Sequence, residues 1–93
     1  MSGLAPGAFR VKLELFHAIA DSGSARVRRW IDEHDMLRAM RYRNVIYPEV
    51  LADLTAHGGT PESVPALWDG QKLFVGADAV IARLGAHGDV GRS

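Results

Sequence analysis

The most informative absence in this 93-residue sequence is cysteine, which does not occur at all. Without it the chain forms no disulfide, binds no metal through a thiolate and runs no thiol redox cycle of its own. The formal net charge is zero, so no overall field draws the protein to nucleic acid or to an anionic membrane. No apolar run approaches the roughly 20 residues that span a bilayer, and we therefore expect no membrane partner.

The composition is otherwise that of a single globular domain, with 47% hydrophobic and 24% charged residues. The first residues, MSGLAPGAF, show neither the basic nor the apolar region of a signal peptide, so we expect a cytoplasmic protein. Six arginines fall between Arg26 and Arg43, but Asp32, Glu33 and Asp35 interrupt them. This pattern favours a solvated, internally compensated surface over a nucleic-acid interface.

Two periodicities in the first half predict a strand, a helix and a second strand. The segment VKLELF, residues 11–16, alternates in the manner of a strand. From Ser24 the apolar spacing becomes that of one helix face, and Ser22 or Ser24 can cap this helix. Alternation around Met40 and Tyr42 predicts a second strand over Ala39–Val45. The apolar helix face consists of Val27, Trp30, Ile31 and His34.

The second half predicts a helix, a hairpin and a last helix. Pro48 suits the first turn of a helix, and the Gly58–Gly59 pair ends it. Asp69–Gly70, between two short apolar runs, predicts a hairpin with a type I′ turn. Asp78 is predicted to cap the final helix. The predicted buried positions of the two helices are Val50, Leu51 and Leu54, and Val80, Ile81 and Leu84.

The predicted order is therefore β-α-β-α-β-β-α in one α/β domain. The first β-α-β unit should be a parallel crossover, and the hairpin should complete a mixed four-stranded sheet. We expect residues 1–9 to form a flexible lead-in, residues 10–86 the domain and residues 87–93 a flexible tail.

This order and three motifs resemble the thioredoxin-fold superfamily, in particular glutaredoxins and the N-terminal domain of glutathione transferases. A strand ending in LFH leads through a short loop into the helical segment SARVRRWI. ESVPALWDG is similar to the family segment whose proline follows a cis peptide bond, and LFVGADAVIARL is similar to a later stretch of transferase domains. The likeness covers Val11 to Leu84. It implies a thioredoxin-like (glutaredoxin-like) fold and a cis Val64–Pro65 bond.

The resemblance aligns the active-site loop of those families with Asp21, Ser22, Gly23 and Ser24. Redox members carry a cysteine at the head of the first helix, where the helix N-terminus stabilises a thiolate. Here Asp21 stands in the nucleophile's place and Ser24 in that of the resolving residue. A carboxylate gains from the same helix dipole but does not exchange with disulfides, so the pattern predicts an anion site without thiol chemistry.

The resemblance also implies where a ligand would bind. Family members pair glutathione with backbone groups of the residue before the cis proline, and Val64 and Pro65 match that pair. The transferase Glu-Ser pair that holds the γ-glutamyl end corresponds to Gly76 and Ala77, which leaves Asp78 as the polar residue there. Ala77 and Asp78 thus complete the implied site, and glutathione is the implied cofactor.

Three functions stay open at this point. The first is a cysteine-less, non-redox binding or interaction module whose partner is a protein or a glutathione-like small molecule. The second is a glutathione-dependent enzyme of the transferase type, in which Ser22 or Ser24 stabilises the thiolate of bound glutathione. The third is a partner-binding or nucleic-acid role of the arginine-rich face. The histidines match no metal-ligand spacing, and no motif supplies an oxyanion hole for a Ser-His-Asp triad, so we predict neither a metal site nor a triad.

Overall fold

The computed structural model describes the backbone of residues 13–92 and the side chains of residues 13–86. Val11 and Lys12 of the first predicted strand, and the predicted lead-in at residues 1–9, lie outside the described residues. The described part forms four strands and three helices, in the predicted order. They are β1 (Leu13–His17), α1 (Ser22–Glu33), a 3₁₀ turn (Leu37–Ala39), β2 (Met40–Asn44), α2 (Pro48–Ala56), β3 (Ala66–Trp68), β4 (Leu73–Val75) and α3 (Ala77–Arg92).

The four strands of the described region make one mixed sheet in the order β2-β1-β3-β4. Strand β1 is parallel to β2 and antiparallel to β3, and β3 is antiparallel to β4. The prediction of an α/β domain with a mixed four-stranded sheet is confirmed. Ala66 pairs with Phe16 on one side and with Val75 on the other, so the end of β1, the start of β3 and the end of β4 meet at one edge of the sheet.

The apolar core lies on both faces of this sheet. Leu15 of β1 belongs to the cluster with α1 and α3, whereas its neighbour Phe16 belongs to the cluster with α2. The alternation in β1 therefore separates two apolar layers, because helices cover both faces. The buried members are Leu13, Leu15, Val27, Ile31, Met40, Leu67, Val80 and Leu84 in the first cluster, and Phe16, Val50, Leu54 and Ala66 in the second.

The predicted cap of the first helix is wrong. Helix α1 begins at Ser22, and its N-cap is Asp21, whose Oδ2 accepts a 2.7 Å hydrogen bond from the backbone N–H of Ser24. Ser24 lies inside the first turn, where its hydroxyl accepts from the backbone N–H of Ala18 at 3.2 Å. Asp21, Ser22 and Ser24 all have good capping side chains. Asp21 is the N-cap because its backbone is extended, as an N-cap requires.

The start of the last helix also differs from prediction. Helix α3 begins at Ala77, so Asp78 lies within its first turn and does not cap it. Gly76 precedes the helix with a φ of 98°, a conformation that glycine adopts without a Cβ clash. Val80 and Leu84 are fully buried, as predicted for the inward face.

The hairpin joins β3 to β4 as predicted, but its turn is not of type I′. That type needs a positive φ at both central residues, whereas Gly70 has a φ of 99° and Asp69 is not in that region. Asp69 instead accepts hydrogen bonds through Oδ1 from the backbone N–H groups of Gln71 and Lys72, each at 2.9 Å. This side-chain-to-backbone turn replaces the predicted one.

Helix α3 is longer than predicted and includes residues 87–92, where the sequence pattern suggested a tail. The glycines of GAHGDVG favour a tail over a helix. A glycine costs a helix only about 1 kcal/mol, and no proline follows to remove a backbone donor.

Candidate functional site

The structure brings the predicted site residues to one edge of the sheet. The end of β1 leads into the loop that carries Asp21, and the start of β3 follows Pro65. Ala77 opens α3 directly after β4. Because β1 and β3 are antiparallel neighbours in register at Phe16 and Ala66, these three segments are adjacent.

The N-terminus of α1 faces the segment before β3. A Cβ atom placed on Gly23 would lie 3.1 Å from Cδ of Pro65 and 3.3 Å from Oδ2 of Asp21. The absence of a side chain at Gly23 therefore allows the first turn of the helix to approach the proline ring. This contact joins the Asp21–Ser24 loop to Pro65, two segments that the sequence analysis assigned to one site.

The two serines of this loop have different environments. Ser24 is fully buried, and its hydroxyl is used by the Ala18 amide. Ser22 is exposed on the first turn of α1. Ser24 is thus a structural residue in this fold, and Ser22 is the loop hydroxyl that an external ligand can reach.

The Val64–Pro65 bond is cis, as predicted. Pro65 is buried, and its carbonyl accepts a 2.9 Å hydrogen bond from the backbone N–H of Gly76. Val64 is half-buried, and neither its N–H nor its C=O makes a hydrogen bond with any described residue. Backbone groups that have no partner among residues 13–92, just before a strand, offer pairing positions to an extended ligand.

The start of α3 contacts α1 through an ion pair. Asp78 Oδ1 lies 2.8 Å from Arg26 Nη1, and both side chains are largely exposed. A pair this exposed contributes little to stability. It does place Ala77 and Asp78 beside the first turns of α1, on the same side of the molecule as Asp21.

A histidine–arginine contact borders the site, and sequence reasoning missed it. His17, the last residue of β1, is 5% exposed, and its Nδ1 lies 2.9 Å from Nη1 of Arg28. Arg28 also donates to the carbonyls of Ala18 and Ile19, each at 3.4 Å. Burial lowers the pKa of His17, and the charge of Arg28 lowers it further. No local sequence signal reveals this contact, because it depends on how α1 crosses β1.

Three of the six arginines in the run make side-chain contacts within the described part of the chain. Arg26 pairs with Asp78, Arg28 with His17, and Arg43 with both Glu14 and Asp53. The two Arg43 contacts measure 2.6 Å each, and its side chain is only 12% exposed. Two arginines of the run are thus paired with carboxylates, and a third contacts a histidine.

The other candidate chemistries lack a geometric basis in the described region. Nδ1 of His17 faces Arg28, and the Asp21 carboxylate faces the Ser24 amide, so these residues do not form the hydrogen-bonded chain of a triad. Residues 13–86 contain no group of three or more histidine, aspartate or glutamate side chains that could hold a metal ion. His34 stacks on Trp30 and His57 on Trp68, with ring centroids 3.7 Å and 3.8 Å apart.

None of the helices described here has the length and apolarity needed to cross a membrane.

No known protein-family model matches the sequence, and no curated protein matches it.

Proposed function

We propose that this protein is a glutaredoxin-like domain of the thioredoxin fold that binds an extended ligand, glutathione or a peptide, without redox chemistry. The strand order β2-β1-β3-β4, with β1 parallel to β2 and antiparallel to β3, is consistent with this fold. Zero cysteines leave the chain no thiol for exchange.

The observation that carries the proposal is the approach of the α1 N-terminus to Pro65. A Cβ atom placed on Gly23 would lie only 3.1 Å from Cδ of Pro65, so Val64, whose backbone has no hydrogen-bond partner among the described residues, lies near the first turn of α1. An extended ligand can pair with Val64 and direct a polar group toward that turn. The ligand class follows from backbone pairing, so it includes any short extended peptide of suitable shape.

Two features favour binding over thiol activation. The buried Ser24 hydroxyl is bonded to Ala18, which leaves Ser22 as the exposed hydroxyl of the loop. Asp21 places a carboxylate against the Ser24 amide, at the position where a thiolate would gain from the helix dipole. A bound thiolate would meet this negative charge, and the enzyme alternative with Ser22 is therefore the weaker one.

The proposal is tested by titrating the full chain with reduced glutathione and, separately, with S-methylglutathione, while its amide resonances are followed by NMR. We expect saturable shifts at Val64, Gly23 and Ala77, with a dissociation constant on the order of millimolar. S-methylglutathione should bind at least as well, because the backbone makes the contact and no thiolate is needed for it. Absence of shifts with both ligands at about 10 mM, a concentration well above that constant, would exclude glutathione as the ligand.

Replacement of Asp21 by Asn tests the charge argument. Asparagine is also a good N-cap, so Asp21→Asn removes the negative charge and keeps the hydrogen-bond acceptor. We expect glutathione to bind more tightly to this variant than to the natural protein. Glu33→Gln, an equal charge change at an exposed position at the far end of α1, is the matched control and should bind as the natural protein does. Weaker binding by Asp21→Asn would make Asp21 a working site residue and would favour the enzyme alternative.

A further inference from the structure

We propose that the contact between His17 and Arg28 stabilises the β1–α1 loop, residues 18–21, in a pH-dependent way. When His17 takes up a proton from solvent, Arg28 loses its acceptor, and the loop that carries Asp21 loosens. The inference concerns the loop itself and does not depend on which ligand the site binds.

The protonation state of His17 follows from the hydrogen-bonding groups of its partner, Arg28. An arginine side chain only donates, so the 2.9 Å contact requires an unprotonated Nδ1 on His17 as acceptor. The imidazole is therefore neutral, with its proton on Nε2. A proton on Nδ1 would turn the acceptor into a donor and set a second positive charge against the guanidinium. The contact and the charged histidine exclude each other.

The same guanidinium holds the loop. Nη1 of Arg28 donates to the carbonyl of Ala18 and Nη2 to that of Ile19, each at 3.4 Å, which is longer than the usual range of about 2.7–3.2 Å for such bonds. Within the loop, the Asp21 N–H donates to the Ala18 carbonyl at 3.2 Å. Arg28 thus adds two weak bonds to those that join Ser24 of α1 to Ala18 and Asp21, and the guanidinium is itself positioned by its shorter contact to His17.

The other groups around His17 do not offset a new charge. From β2, the Tyr42 ring lies 5.2 Å from the imidazole, and burial raises the pKa of Tyr42, so its phenol stays neutral. The negative charge of Asp32 raises the pKa of Tyr42, whereas the positive charge of Arg28 lowers it. Asn44 of β2, which is in register with His17, carries no charge. Among the described residues, Arg28 is the charged group that acts on His17, and it opposes protonation.

Hydrogen exchange of the natural protein between pH 7.5 and 5 tests the proposal, with rates converted to protection factors. In an open state that exposes His17, the imidazole binds a proton below about pH 6.5, which favours the open state. The protection factors of amides that exchange through this opening should then fall by up to about tenfold per pH unit. We expect this loss at the amides of Ala18 and Asp21, which should already be less protected than Leu67 in β3. Protection equal to that of Leu67 at every pH, or no loss in acid, would overturn the proposal.

Two variants separate His17 from the other histidines. His17→Asn retains an acceptor for Arg28 but does not titrate, so loop protection should become independent of pH. His34→Asn removes an exposed histidine at the end of α1 and should leave the acid-induced loss intact. Persistence of the loss in His17→Asn, or its disappearance in His34→Asn, would contradict the assignment. If His17→Asn fails to fold, the pH series on the natural protein decides the matter.

Discussion

Some side chains in this protein could either stabilise the fold or contact a ligand, and the burial of each side chain determines which of the two it can do. Ser24 carries a hydroxyl at the position where a ligand-binding loop is expected, yet full burial commits it to the Ala18 amide. Asp21 is only partly buried and caps α1 while its charge borders the proposed site. At the residue scale, solvent access separates the buried structural residue of this loop from those that a ligand could reach.

Arg43 provides the clearest residue-scale prediction. Its guanidinium bridges Glu14 and Asp53 and lies 5.5 Å above the Phe16 ring, so it joins β2, β1 and α2. Arg43→Met should lower the free energy of unfolding by about 1.5–3 kcal/mol, because Glu14 loses a charged hydrogen-bond partner in a half-buried position. Urea denaturation of the variant measures this loss.

The matched control for that experiment is Arg41→Met, two residues away on the same strand and exposed. Its effect should stay within about 0.5 kcal/mol. Equal losses in the two variants would mean that the Arg43 contacts contribute nothing beyond the general effect of removing an arginine from β2.

At the scale of elements, the β3–β4 hairpin shows how one carboxylate organises a turn. Burial acts to raise the pKa of Asp69, but the hydrogen bonds from Gln71, Lys72 and Arg83 outweigh it and lower the pKa below its ordinary value of 3.8. A carboxyl group with a lowered folded-state pKa stabilises the protein above the unfolded value and loses that contribution as the pH falls through the folded value. The hairpin is therefore acid-sensitive at this residue.

Asp69→Asn tests this sensitivity. The amide oxygen still accepts from the backbone, so the variant loses mainly the charge that faces Arg83. At pH 7 it should unfold with a free energy about 0.5–1.5 kcal/mol lower than that of the natural protein. The difference should shrink as the pH drops below about 4, when the natural carboxyl group also becomes neutral.

Glu62→Gln, an exposed charge change before β3, provides the comparison and should show no such convergence. A difference between Asp69→Asn and the natural protein that stays constant down to pH 2.5, more than one unit below the ordinary aspartate value of 3.8, would contradict the role of the charge.

Elements fixed by local interactions can be predicted from this sequence, whereas contacts fixed by tertiary packing cannot. Helix α2 could be predicted because Pro48 and the Gly58–Gly59 pair act locally. The cap of α1 could not, since Asp21, Ser22 and Ser24 all have capping side chains and tertiary placement selects one. The His17–Arg28 contact lay beyond reach for the same reason: it requires α1 to cross β1 in one particular way.

For the whole molecule, the absence of cysteine makes a prediction about activity. We expect no disulfide reductase turnover with hydroxyethyl disulfide, glutathione and glutathione reductase, because the protein has no residue that can form a mixed disulfide. Turnover above the blank that survives purification to homogeneity would contradict this expectation.

The same fold should nonetheless activate a thiol placed at its helix N-terminus. In Asp21→Cys the new thiol would face the Ser24 amide, and its pKa should fall below the usual value of about 8.5. In Ala56→Cys, the control, the thiol lies at the C-terminal end of α2, where the dipole disfavours a thiolate. The pH dependence of alkylation by iodoacetamide compares the two, and equal pKa values would argue that α1 does not stabilise an anion.

The position of β1 in the sheet has a consequence for how the chain reaches its native state. Its parallel partner β2 follows within the same β-α-β unit, but its antiparallel partner β3 lies about fifty residues further on, at Leu15 opposite Leu67. Closing that longer loop costs entropy before the central strand gains its second partner. We therefore expect a barrier dominated by non-local pairing, with a folding rate typical of mixed α/β domains and slower than that of helical bundles.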